Sequence, residues 1–125
     1  MSLGTPEYLA AWLRAFVFTQ VVEILVYRLV GKIRIAPSFT ASAMTHPAVW
    51  FIFPTLGIYC GWSFYTMVGV SELFAWLAEA LFFWSVVSVT PVRALLISLA
   101  ANSASVVCGE GMRWATFRVF GHSYP

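Results

Sequence analysis

Every acidic side chain in this 125-residue chain is a glutamate, and four of the five stand where a carboxylate is costly. Glu23, Glu72, Glu79 and Glu110 lie within or at the edge of apolar runs, and only Glu7 lies outside one. A charged residue at the centre of a bilayer costs at least about 2.5–3.5 kcal/mol even on lenient insertion scales. Acids kept there imply a specific pairing or a function. With a histidine nearby, such groups can relay protons, hold a cation or bind a ligand carrying positive charge. They are also legitimate ligands for zinc or iron, and could act as general base and acid.

Depth sharpens the set. If the apolar runs are membrane helices, Glu23 and His46 each lie about seven residues inside one face, and Glu79 and Asn102 about eight, roughly 10–12 Å deep at the helical rise. Each of four helices thus places one polar group at one level. Gln20, Glu23 and Tyr27 share a face of the first helix, and Ser98, Asn102, Ser105 and Gly109 form a small, polar seam on the fourth. Glu72 and Glu79 share a face of the third, with Trp76 between them. The ligand- or ion-binding set is therefore Glu23, His46, Glu79 and Asn102, with Gln20 and Glu72. Two acids face at most one basic partner at this level. A purely structural alternative has the two acids protonated and serving only as interhelix hydrogen-bond donors to Asn102, His46 and carbonyls.

Arg14, Glu72, Glu110 and Arg113 make a second layer near the opposite face. Glu110 and Arg113 are three apart and within reach on one helix. Charges there balance, which points to an ion-paired lock on helix register.

The elements that position these groups follow from composition. Hydrophobic residues make up 61% of the chain and charged residues 10%, against about 25% charged in a soluble domain. So little charge cannot cover a folded surface in water, and lipid removes the demand. About 20 apolar residues cross the hydrocarbon as a helix, and candidate spans fall at 8–30, 39–59, 65–87 and 94–114. The expected fold is all-α: one transmembrane domain over 1–125, a polytopic four-helix bundle with short loops. Pro47 and Pro54 predict a kinked second helix, with freed carbonyls beside His46. Gly57, Gly61 and Ser63 mark a tight turn, and residues 121–125 a short tail. A signal peptide is disfavoured by Gln20 and Glu23 inside the first span and by the absence of a small-residue cleavage pattern.

Four spans put both termini and the 57–63 turn on one side, side A, and loops 31–38 and 88–93 on side B. Arg28, Lys32, Arg34 and Arg93 lie near B, and Arg14, Arg113 and Arg118 near A. Positive charge favours the cytoplasm. The expected setting is a bacterial-type inner membrane, side B cytoplasmic and both termini outside. The bias is small enough that a dual-topology, antiparallel dimer is an alternative. Trp12, Trp62, Trp114, Tyr8, Tyr59 and Tyr65 near A, with Trp84 and Tyr27 near B, suit interfacial belts. Trp50 and Trp76 lie deeper and read as packing residues. Cys60 and Cys108 could pair if A is oxidising, but two free thiols, one of them buried, are the plainer expectation.

Three function classes fit. The first is a small transporter or channel for a cation, a proton or a small solute, working as a homo-oligomer. The second is a non-catalytic accessory or scaffold subunit of a larger membrane complex. The third is an intramembrane metal-dependent enzyme, which one histidine near the acids supports weakly; no catalytic set can be assigned and a cofactor is not indicated. The net charge of +2 without a basic stripe excludes nucleic acid as a partner.

Overall fold

The computed structural model describes residues 3–120. Helix α1 spans Pro6–Leu29, α2 Ile35–Pro47, α3 Phe53–Cys60, α4 Phe64–Val86 and α5 Pro91–Phe120. A π-helical segment, Ala48–Ile52, joins α2 to α3 without a break in helical backbone. The described residues are all-helical, with no strand among them. Three helices, α1, α4 and α5 over Pro91–Thr116, are long and apolar enough to cross a membrane.

Local chemistry explains the ends. Thr5 caps α1 by accepting the Tyr8 amide, with Pro6 in the first turn, and Ser63 caps α4 by accepting the Thr66 amide. Gly61 closes α3 in the left-handed region, at φ 65°, where a side chain would be strained. The second helix begins at Ile35 rather than near residue 39, because Pro37 sits in its first turn, where a missing amide costs nothing. The last helix runs on to Phe120 rather than stopping near Trp114. No proline interrupts it, and Arg118 stacks over the Trp114 ring at 4.7 Å. Residues 121–125, expected as a tail, lie outside the described residues.

The second rod changes its hydrogen bonding at its prolines. Pro47 has no amide to give to the preceding turn, and the helix widens directly after it: the Phe53 amide bonds five residues back, to the Ala48 carbonyl. Pro54 likewise leaves the Trp50 carbonyl without its helical donor, and the Tyr8 hydroxyl fills that place at 2.5 Å. The freed carbonyl becomes a strut between α1 and the α2–α3 rod.

The segments pack in a closed ring: α1 against α2 and α5, and α4 against α5 and the α2–α3 rod. Polarity in this ring is inverted. Leu9, Leu13, Val17, Val21 and Leu25, four apart along α1, are all exposed, while Gln20, Glu23 and Tyr27 on the facing side are buried. In water such an exterior would be a large aggregation liability; against hydrocarbon it is the favourable one. Side-chain hydrogen bonds and small residues hold the interior, as expected where lipid removes the hydrophobic drive between helices.

The apolar core is confined to the half nearest the two turns at 30–34 and 87–90. There Tyr27, Ile33, Phe83 and Ile97 pack with Ala41, Ala80, Ala94 and Ala101. Tyr27 and Phe83 meet edge to face, with centroids 4.7 Å apart. Arg93 donates to the Gly31 carbonyl at 2.6 Å, tying the two turns together. Gly31 is required there, since a Cβ would stand 2.9 Å from the Tyr27 carbonyl oxygen.

Candidate functional site

Directly above this plug lies the carboxylate layer. Glu79, from α4, is 1% exposed and accepts from three helices. Tyr27 Oη of α1 donates to its Oε2, Thr45 Oγ1 of α2 to its Oε1 at 2.7 Å, and Asn102 Nδ2 of α5 to its Oε2 at 2.8 Å. Glu23, from α1, accepts from Ser42 Oγ of α2 and, at 2.9 Å, from Ser105 Oγ of α5. The partners of the two acids also lie against one another, each single hydroxyl proton having a backbone carbonyl as its alternative acceptor: Thr45 Oγ1 is 3.2 Å from the Ser42 carbonyl and Ser105 Oγ 2.9 Å from the Asn102 carbonyl. All four long helical segments are stitched at one level.

The polar seam of α5 extends this layer onto α4. Ser98 donates to the Trp76 carbonyl at 2.8 Å, and the Trp76 indole donates to the Leu95 carbonyl at 2.8 Å. Trp76 is thus a clamp between α4 and α5.

Above the carboxylates is a hollow of about 250 Å³. Glu23, Glu79, Thr45 and Asn102 form its floor, and Glu72, His46 and Trp50 its walls. Glu110 also lines it, and that side chain is exposed, so the mouth lies toward the end carrying the termini. No Lys or Arg is among the residues lining it. His46 is 7% exposed, and its Nε2 has no hydrogen-bond partner. Its ring sits in an aromatic surround, 5.3 Å from Phe16, 6.0 Å from Trp50 and 6.4 Å from Trp12 between centroids.

The residues singled out by sequence therefore separate into groups. Glu23, Glu79 and Asn102 share one hydrogen-bonded network. His46 and Glu72 line the same hollow without joining that network. Gln20 is buried but turned aside: its Nε2 reaches toward the Phe39 carbonyl at 3.5 Å, and it lines an outer groove between α1 and α2.

The balancing group near the mouth does not close into a layer. Arg113 pairs with Glu110 at 2.5 Å, both side chains more than half exposed, within one helix. Such a pair cannot fix the register of two helices. Arg14 is exposed on the outer side of α1. It lies nine residues from Glu23, about two and a half turns, which carries it to the opposite face.

Ser42 and Thr45 are the carboxylate-layer residues that the depth argument does not single out. Their signal was present, since Ser38, Ser42, Thr45 and His46 repeat at helical spacing along α2. Cys60 and Cys108 are free and both exposed, so neither thiol is buried; Cys108 faces outward from α5 beside exposed Val107. Among the described residues no three His, Cys, Asp or Glu side chains converge as a metal site. No protein-family model matches the chain, and no match was found among curated proteins or solved structures.

Proposed function

We propose that the chain is a polytopic integral membrane protein, a bundle of four crossings, that takes up a cation, a proton or a small cationic solute through its acidic chamber. The fourth crossing is the α2–α3 rod Ile35–Cys60, roughly 35–40 Å long at the helical rise and enough for a hydrocarbon core of about 30 Å. The carrying observation is the pair of buried carboxylates, Glu23 and Glu79, at the floor of a hollow whose lining holds no Lys or Arg. Such a chamber offers carboxyl groups and no basic side chain in its lining, which favours a proton or a cation over an anion. It is closed below by Tyr27 and Phe83, so passage across the membrane requires that plug to open. Side B faces the cytoplasm in this reading, and a homo-oligomer, including a dual-topology dimer, is the working unit.

The test is reconstitution into liposomes with an imposed proton or cation gradient. The expected result is a flux above that of empty vesicles, lowered at least tenfold by Glu79→Gln. Flux indifferent to that substitution sinks the reading. A second reading, an accessory or scaffold subunit, draws support from Glu79 itself, whose oxygens already accept three protein donors. Native purification separates the two: reproducible recovery with other subunits favours the scaffold, a homogeneous homo-oligomer the transporter.

A further inference from the structure

The layer that fails to close within one copy leaves two opposite charges unpaired at one height. Arg14 and Glu72 each stand eight residues into their helices from the end that carries the termini, counted from Pro6 of α1 and Phe64 of α4. At the helical rise that is about 12 Å for both. Within a copy they do not meet, because α1 packs on α2 and α5, across the ring from α4, and Arg14 is exposed on its outer side. Among the described residues the ion pair present is Glu110–Arg113, and neither Arg14 nor Glu72 joins one. An arginine facing lipid and a carboxyl group without a counter-charge are each costly at this depth.

Glu72 also reaches the outside of the ring. It borders the acidic chamber and, on its other side, a hollow of about 360 Å³ between α4 and α5. Leu73, Trp76, Leu99 and Val107 wall this groove, and all but Trp76 are exposed, so it opens on the apolar surface. The outer face of α1 is its complement. Ala10, Arg14, Val17 and Val21, at spacings of three and four, are all exposed on one side of that helix. Their small and β-branched side chains make a slim ridge around one charge.

We propose that the α4–α5 groove seats α1 of a second copy of this chain in the same membrane orientation, with Arg14 of the partner subunit paired to Glu72. The proposal rests on the membrane-spanning part of the reading above and is indifferent to what the chamber carries. Charge and height select the occupant. Arg28, Lys32, Arg34 and Arg93 lie toward the turns at the other end, and Arg113 stands about 6 Å nearer the mouth than Glu72 and is held by Glu110. A guanidinium brought in by α1 can bond both oxygens of the Glu72 carboxylate, and exposed Ser103 in the groove offers it a further acceptor. The ridge and the groove are different surfaces, so the contact is head-to-tail and repeats through parallel copies. Helix α1 is about 36 Å long, so an antiparallel pairing would set the two charges about 12 Å apart in depth and forfeit the contact.

The experiment is energy transfer between donor- and acceptor-labelled full-length chains in liposomes, diluted stepwise with lipid to give an association constant. Native chains are expected to associate saturably. Arg14→Glu alone and Glu72→Arg alone each set like charges against one another and are expected to lower the constant at least tenfold. Mixing the two variants is expected to restore it to within about threefold, because each then meets an opposite charge on the other. A folding defect in either variant is not repaired by mixing. Val17→Trp, which broadens the ridge without changing charge, is expected to lower association too. Native chains that stay monomeric, association indifferent to both charges (as in an antiparallel dimer), or no rescue on mixing overturns the proposal. If Glu72→Arg does not fold, Arg14→Glu and Val17→Trp, both on an exposed face, decide alone. Charge-dependent association without liposome flux removes transport and keeps this interface, whereas Glu79-dependent flux from chains that ignore both charges does the reverse.

Discussion

Two glutamate contacts in this chain sit about 30 residues apart in sequence and differ in kind. Glu110 and Arg113 form an i,i+3 pair at the rim, with side chains 58% and 55% exposed, and need nothing from the rest of the fold but one turn of α5. Glu79 has no basic partner, is almost wholly buried, and is met by donors from the other three long helical segments. The rim pair is a local property of a helix. The buried acid is a property of the assembled ring. Charge neutrality alone does not reveal which polar residues hold a membrane bundle; the number of separate elements that meet at one carboxylate does.

The widest gap between the two should appear on deleting the side chains. Glu79→Ala strands Tyr27, Thr45 and Asn102, and interhelix hydrogen bonds in membranes average about 0.6 and reach about 1.7 kcal/mol each. The expected loss is about 2–5 kcal/mol, read by denaturant unfolding in micelles. A loss below about 1 kcal/mol would erase the distinction.

A smaller effect tests whether the network is shared. Ser42→Ala and Ser105→Ala each should cost about 0.6–1.7 kcal/mol in the native background and close to nothing once Glu23 is alanine. Additive losses in that double-mutant cycle would mean that the serines act elsewhere.

The smallest effect belongs to the rim. Arg113→Gln should cost less than about 0.5 kcal/mol, and that remainder should fade in high salt. A loss as large as that of Glu79→Ala would break the comparison, and would place the pair inside an oligomer interface instead of at a free edge.

Much of the inner layer was legible from residue spacing because helical rise and periodicity are nearly invariant. Counting residues from one boundary was enough to bring Glu23, Glu79 and Asn102 to one level, and spacings of three and four put Tyr27 and Ser105 on the facing sides. The same periodicity misled where depth was used without angle. Arg14 has the right depth to meet Glu72 and Glu110 but points to the opposite face of α1. Gln20 shares a buried face with Glu23 yet turns toward Phe39, since small rotations at a helix edge decide which neighbour a side chain meets. A kink is expected after Pro47, and what the structure shows there is a widened turn, because proline removes a donor without dictating how the next turn recovers. The groove that meets the chamber at Glu72 arises from the fit of two helices, which no single stretch of sequence encodes.

The stitching of Glu23 has a consequence in time. Its two partners are separated along the chain: Ser42 follows 19 residues later, but Ser105 follows 82 residues later. At a synthesis rate of about 5–20 residues per second, the wait for Ser105 is roughly 4–16 s. During that interval Glu23 has only the first of its two hydroxyl partners, within the hairpin that α1 makes with the next rod. Assembly therefore passes through a half-built stage in which the Glu23 carboxyl group has yet to meet the last helix and is open to another donor.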